Sequence, residues 1–214
     1  GEQDIVFGAT TAGRPHDLAG ADTIVGVFIN SLPVRVQLSP DVNIITWLQD
    51  LQTQQSKARE YDYVPLSQIQ RWSEIPVGKS LFESLVVFEN YPIDKALDSI
   101  QVSLEIQSVQ SFINNNYPIT IRALPRDELV LQIMADRSCL AGEVTERWLQ
   151  HLVALLQWLV EHPTASLGDW KDYLTMLDRQ WQQQQAQTLT QTSRNKLRQA
   201  RRKTVRPSHQ ENIS

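Results

Sequence analysis

The sequence is poor in cysteine and histidine, and this scarcity excludes several kinds of site. Its 214 residues include one cysteine, Cys139, and four histidines, no two of which are adjacent. A single thiol forms no disulfide within the chain, which favours a reducing cytoplasm, and Cys139 is expected to be a small core residue. No set of Cys, His, Asp or Glu has the spacing of a metal site, so no metal is expected.

Long apolar runs are also lacking. The longest is broken at Gln157 and is far shorter than the ~20 residues that span a bilayer, so no transmembrane helix is expected. Residues 1–193 hold 13 basic and 23 acidic residues, whereas seven basic residues and no acid lie between 194 and 206. Because this basic tail lacks interleaved aromatic residues, we expect a solvated linker or docking helix rather than a partner for nucleic acid or membrane.

Hydrophobic periodicity predicts a strand-rich centre between two amphipathic helices. Strands are expected at 4–11, 27–38, 85–89, 101–109, 119–124 and 129–135, the second as a strand pair or one bulged strand. Helices are expected from Pro40 to about 60, after Pro65, and over 143–161, where His151 falls on the polar side. The pattern predicts a two-layer α/β (α+β) sandwich over 1–177 and a Gln-rich, then basic tail over 178–214, partly helical and partly disordered.

The most informative segment is V-G-V-F-I-N-S-L-P-V-R at 25–35, where an amide side chain interrupts a buried strand. An unpaired buried amide costs roughly 1–3 kcal/mol, so Asn30 must either clip neighbouring backbone together or line a cavity. Around it stand D-I-V-F-G-A-T-T-A-G-R-P from Asp4, R-E-Y-D-Y-V-P-L from Arg59 and L-F-E-S-L-V-V-F-E-N-Y-P from Leu81. In this order, the segments resemble the condensation domains of non-ribosomal peptide synthetases over residues 1–177.

The resemblance implies a fold, a reaction and a set of contacts. Each lobe of a condensation domain is similar to chloramphenicol acetyltransferase, and two lobes form a V around a tunnel. There an amine on one carrier domain attacks a thioester on another, and phosphopantetheine on the carriers bears both groups, so no cofactor is expected in this chain. The resemblance implies four candidate contacts beside the tunnel: Asn30, Ser31, Glu89 and Asn90. Tyr61 and Tyr63, in a second matching motif, are expected to pack.

One element of the family is missing from the chain. Condensation domains carry a His-His-x-x-x-Asp-Gly motif upstream of every segment matched here, and no histidine of this chain is followed by Asp-Gly. We therefore expect a C-terminal lobe, inactive without the N-terminal lobe and with donor and acceptor peptidyl carrier domains as partners. Two alternatives stay open: a non-catalytic module that recruits a partner enzyme, and an acyltransferase with a small-molecule acceptor.

Two further patterns do not predict a site. The segment from Gly8 to Pro15 resembles a phosphate-binding loop, but Arg14 and Pro15 stand where its Lys and hydroxyl would be. His16 and Asp17 are adjacent, but the chain has no nucleophile motif to accompany them. No catalytic residue is therefore expected within this chain.

Overall fold

The computed structural model describes residues 2–12, 19–76, 78–89, 116–125 and 127–204, without the side chains of residues 12, 22 and 197–204. The predicted strand at 101–109 lies outside the described residues, and so do Asn90 and His16. The chain divides into two compact units, Gly1–Gly168 and Asp169–Ser214. The candidate site residues of the sequence all belong to the first unit.

The described part of the first unit contains one five-stranded sheet. Its strands are β1 (Asp4–Ala12), β2 (Ile29–Gln37), β3 (Ser84–Phe88), β4 (Ile119–Pro125) and β5 (Leu129–Ala135). They are arranged in the order β2-β1-β3-β4-β5. Strands β1, β3 and β4 run parallel, and β2 and β5 run antiparallel to their neighbours. The carboxyl ends of β1, β3 and β4 therefore lie at the same end of the sheet as the amino ends of β2 and β5.

Strand β2 shows how the sequence pattern positions one face of the sheet. Leu32, Val34 and Val36 are buried, and the residues between them are half-buried or exposed. This period of two residues is that of a strand with one face on the core. The pairing of β2 with β1 continues without interruption along all nine residues of each strand. The expected strand pair or bulge is therefore wrong, because the register leaves no extra residue on either strand.

The helices α1 (Ile44–Arg59), α2 (Leu66–Trp72) and α3 (Gly142–Glu161) lie in the first unit. The first was expected from Pro40 but begins later, because Asn43 is its N-cap. The Oδ1 of Asn43 accepts hydrogen bonds from the backbone N–H groups of Ile45 at 2.9 Å and Thr46 at 3.3 Å. Helices α1 and α2 contact β2, and α3 contacts β5. A mixed α/β fold of helices on a sheet is confirmed.

A close approach in the sheet explains Gly8 of β1. The buried ring of Phe82 covers this residue so tightly that a Cβ at position 8 would lie 2.2 Å from the Phe82 Cε2. Phe82 also stacks on Tyr117, with ring centroids 5.3 Å apart. The glycine that resembles part of a phosphate-binding loop is therefore needed for core packing.

Two predictions about burial are wrong. His151 was expected on the solvated side of α3, but only 8% of it is exposed. It lies one turn before Leu155, the other buried residue of the helix, so both lie on the same helix face. Cys139 was expected in the core, but it is exposed in the turn that follows Asp136.

Helix α4 (Leu167–Thr204) has 38 residues, and its part from Asp169 onward is what the structure describes of the second unit. The helix continues without a break through residues 177 and 178, where the sequence predicts the end of the domain. Arg194 and Lys196 are exposed on it. In the described part of the chain, no helix is both long and apolar enough to cross a bilayer.

Candidate functional site

Exposed apolar side chains gather at the end of the sheet where β2 and β5 begin and β3 ends. Ile29 and Leu129 are the first residues of β2 and β5, and Phe88 is the last residue of β3 and 63% exposed. Val25 and Val27 lead into β2, and Val25 is fully exposed. These five residues are termed the apolar end of the sheet. Clustered exposed apolar groups commonly mark an interaction surface.

Asn30 lies half-buried beside the apolar end and joins two parts of the chain through its amide. Its Nδ2 donates to the main-chain carbonyl oxygens of Asp62 and Val64, both at 2.7 Å. Its Oδ1 accepts from the N–H of Ser31 at 2.9 Å. These bonds fix the start of β2 to the connection between α1 and α2. They give Asn30 the role of a clip, and its role beside a tunnel stays a prediction.

The same clip leaves two tyrosines exposed. Asp62 and Val64 both direct their carbonyl oxygens to Asn30, and Tyr63 between them is 72% exposed. Tyr61, at the start of this connection, is also exposed. The prediction that the two tyrosines pack is wrong, because both are exposed, and the side chain of Asn30 holds this connection through its carbonyl oxygens.

Glu89 directly follows β3 and forms a buried ion pair with Arg122 of β4. The Arg122 Nε donates to Oε1 of Glu89 at 2.8 Å, and Nη2 donates to Oε2 at 2.6 Å. The Arg122 Nη1 donates to Oε1 of Gln132 on β5 at 3.1 Å. The side chains of Arg122 and Glu89 are only 8% and 13% exposed. Both carboxylate oxygens of Glu89 therefore have a partner within the sheet.

The register of the sheet brings Asn30 and Glu89 to the same end. Asn30 lies opposite Thr11 of β1, and the Thr11 Oγ1 donates to the Asn30 carbonyl oxygen at 3.4 Å. The parallel pairing of β1 with β3, continued by two residues, places Thr11 level with Phe88. Two strand spacings separate Asn30 from Phe88, which corresponds to about 10 Å. Glu89 is the next residue along the chain.

The structure describes only one of the other two predicted contacts. Ser31 is half-buried, and its side chain lies on the opposite face of β2 from that of Asn30, because neighbouring residues of a strand alternate. Asn90 lies outside the described residues. Three of the four predicted residues, Asn30, Ser31 and Glu89, thus lie at one end of the sheet.

A second bidentate ion pair, of similar geometry, lies at the opposite end of the sheet. Arg35 of β2 donates from Nε to Asp4 Oδ1 at 2.9 Å and from Nη2 to Oδ2 at 2.6 Å. These hydrogen bonds lower the pKa of Asp4 and raise the pKa of Arg35. Both side chains are largely exposed, so the pair is screened by solvent. Among the residues that the structure describes, no group of three or more His, Cys, Asp or Glu could hold a metal ion.

Sequence reasoning missed Arg122, and the only available signal was weak. A basic residue inside the apolar strand I-T-I-R-A-L-P indicates a buried charge in need of a partner. Glu89 and Gln132 supply that partner, but the former is 33 residues away in the chain. The pairing was therefore not visible from local sequence.

Comparison with known proteins identifies relatives among peptide synthetases. One of the linear gramicidin synthase proteins of Brevibacillus parabrevis is 43% identical over 178 residues, covering 79% of this chain and 4% of that protein. Surfactin synthase subunit 3 of Bacillus subtilis (strain 168) is 31% identical over 162 residues, covering 75% of this chain and 12% of that protein. This chain thus spans a small part of the curated relatives that it matches.

Solved structures show the same fold. A variant of the starter condensation domain of rhizomide synthetase, in complex with C8-CoA, has a TM-score of 0.59 and 16% identity, covering 78% of this chain and 38% of that chain. A four-domain nonribosomal peptide synthetase bound to AMP and glycine has a TM-score of 0.64 and 17% identity, covering 78% of this chain and 14% of that chain. The family described as "Condensation domain" matches residues 1–185 of the 214. The chain therefore belongs to the condensation domain family.

Proposed function

We propose that this chain is the C-terminal lobe of a non-ribosomal peptide synthetase condensation domain, with a fold like that of chloramphenicol acetyltransferase. In the assembled domain, it takes part in forming an amide bond between two carrier-bound substrates. The names of its relatives support the reaction class. The coverage of 38% of a solved condensation domain and the lack of a His-His-x-x-x-Asp-Gly motif support the assignment to one lobe.

The observation that carries the proposal is the overlap of two features at one end of the sheet. The predicted contacts Asn30 and Glu89 lie at the same end as the exposed residues Val27 and Phe88. Large exposed apolar side chains at this position would be covered when a second lobe docks. The two reacting groups would then pass beside the predicted contacts, namely Asn30, Ser31, Glu89 and Asn90. Because Arg122 occupies both carboxylate oxygens of Glu89, this residue would contribute to the wall rather than bind substrate by its charge.

In the proposed reaction, the amine nitrogen of the acceptor substrate attacks the thioester carbonyl carbon of the donor substrate. A C–N bond forms, the C–S bond breaks, and the amine proton passes to the thiolate that leaves on the donor's phosphopantetheine arm. The His motif of the other lobe would assist the amine. The present lobe would hold the two groups in place, which converts a bimolecular step into a local one. The partners are a donor and an acceptor peptidyl carrier domain, in the cytoplasm.

We assign residues 178–214 to a linker or docking helix beyond the domain. The family match ends at residue 185, which supports a boundary close to this position. Arg194 and Lys196 are exposed on α4, which supports the assignment of the basic segment to a linker that lies in solvent.

Reconstitution with an N-terminal lobe tests this function. The chain alone should release no dipeptide from loaded carrier domains, because it has no counterpart of the family's catalytic His. Mixed with the N-terminal lobe of a condensation domain from the related linear gramicidin synthase, it should form the dipeptide, and a lobe with both motif histidines changed to Ala is the control. Dipeptide formation by the chain alone would contradict the proposal. Binding of the lobe without dipeptide formation would favour a non-catalytic recruiting module.

A substitution at the apolar end tests where the second lobe docks. Val27→Asp places a charge on this surface and should weaken lobe binding at least about tenfold, as charged groups do at the centre of an interface. Val160→Asp is the matched control, because Val160 is comparably exposed but lies near the end of α3. Affinity is measured by titrating labelled lobe, and circular dichroism checks folding. Equal affinities for the two variants would refute docking at the apolar end.

A further inference from the structure

The buried ion pair between Arg122 and Glu89 occupies a special place in the sheet. Formal pairing of β3 with β4 ends at Phe88 opposite Ala123, and one more main-chain bond runs from the Glu89 N–H to the Ala123 carbonyl oxygen at 2.9 Å. The side chain of Glu89 also accepts the two parallel hydrogen bonds from Arg122. Backbone and side chain together therefore hold Glu89 against β4.

Stability alone is a weak reason for such a pair. Removing an Arg and a Glu from water costs several kcal/mol per ion, and packed apolar residues of similar volume commonly stabilise as much or more. What an apolar pair lacks is direction, because two parallel N–H···O bonds hold the carboxylate at a defined distance and angle. Gln132 restrains the guanidinium from the other side at 3.1 Å. The arrangement favours a defined geometry over maximal stability.

We propose that Arg122 is a positioning residue of the condensation site, which acts by fixing the orientation of Glu89 directly after β3. This inference rests on the proposed function, in which Glu89 forms part of the tunnel wall. Holding a wall residue by a restrained partner preserves the reacting geometry, and a misplacement of about 1 Å can cost on the order of a hundredfold in rate.

The chain offers a matched control for this ion pair. Arg35 and Asp4 form the same bidentate contact with N–O distances of 2.9 and 2.6 Å, but they are exposed and lie at the opposite end of the sheet. Removing that pair tests the loss of an Arg–carboxylate contact away from the candidate site. The variants Arg122→Met/Glu89→Leu and Arg35→Gln/Asp4→Asn are therefore compared. Arg122→Lys, which keeps the charge but not the two parallel bonds, is included as a second variant in case the apolar pair alters folding of the sheet.

Two measurements separate a positioning role from a structural one. Hydrogen exchange of the Glu89 amide is followed by NMR in the 214-residue chain, with the Val86 amide within β3 as the reference. Single-turnover dipeptide formation is followed in the chain combined with the N-terminal lobe. In Arg122→Met/Glu89→Leu, the melting temperature should be kept, while exchange at position 89 rises at least about tenfold relative to Val86 and the rate constant falls at least about tenfold. Arg122→Lys should show smaller changes in the same directions, and the Arg35→Gln/Asp4→Asn control should change neither.

The outcomes distinguish a positioning role of the ion pair from a structural one. Unchanged exchange at position 89 in the folded variants would show that the ion pair does not hold the strand end. Faster exchange with an unchanged single-turnover rate would overturn the positioning role, and so would a rate loss that only follows a lower melting temperature. If the double variant does not fold, Arg122→Lys gives the same decision. If the unsubstituted combination forms no dipeptide, the proposed function fails, whereas the exchange result still reports on the ion pair.

Discussion

Asn30→Ala should destabilise the chain more than removal of an ordinary surface amide. The substitution deletes two hydrogen bonds donated to the carbonyl oxygens of Asp62 and Val64 and one accepted from Ser31. A net value of about 1 kcal/mol for each bond predicts a loss of about 2–3 kcal/mol in the free energy of unfolding. The half-buried position of Asn30 lets water replace part of what is lost, so the lower end of this range is expected.

Asn43→Ala is the matched control for this substitution. Its side chain also bonds to the backbone, but Oδ1 accepts both hydrogen bonds, and the partners Ile45 and Thr46 lie in the adjoining turn of α1. Loss of such an N-cap costs about 1 kcal/mol. The difference between the two variants therefore isolates the long-range contacts of Asn30. Urea unfolding, followed by circular dichroism and by tryptophan fluorescence, gives both free energies.

The result that would refute this reasoning is a cost for Asn30→Ala no larger than that for Asn43→Ala. A second measurement addresses the tunnel role of Asn30. In the chain combined with an N-terminal lobe, Asn30→Ala should slow dipeptide formation, because the start of β2 is released from the connection after α1. A full rate with a lowered stability would show that Asn30 is a structural clip alone.

Two further predictions concern packing and the tail. Gly8→Ala should cost about 1–3 kcal/mol in the free energy of unfolding, because the new Cβ would lie 2.2 Å from the Phe82 ring. Gly26→Ala is its control, since a Cβ there meets nothing within 4 Å, and equal thermal melts of the two variants would contradict the packing argument. Limited trypsin digestion should cut after Arg194 and Lys196 before it cuts within the first unit, because both residues are exposed on the basic part of α4. Mass spectrometry of the early fragments identifies the cuts, and first cleavage within residues 1–168 would count against a solvated tail.

Several elements could be predicted because their signals are local. The strand Leu129–Ala135 and the helix Gly142–Glu161 agree with the predicted ranges to within one residue at each end. The hydrophobic pattern of each element repeats several times within its length, so the residues of the element itself suffice to predict it. The start of α1 was missed by several residues, because Asn43 caps the helix more effectively than Pro40 begins it. The family was predicted correctly because its segments keep their order along the chain.

The sequence by itself determined the family, the strand and helix types, and the absence of the His-His-x-x-x-Asp-Gly motif from this chain. Only the tertiary structure decided which groups meet. The carbonyl groups that accept from the Asn30 Nδ2 lie 32 and 34 residues away, and the ion-pair partner of Glu89 lies 33 residues away. Contacts at such separations depend on the strand order β2-β1-β3-β4-β5, which pairs strands that are distant in sequence and which no local pattern encodes. The same order brings exposed apolar residues from three strands to one end of the sheet.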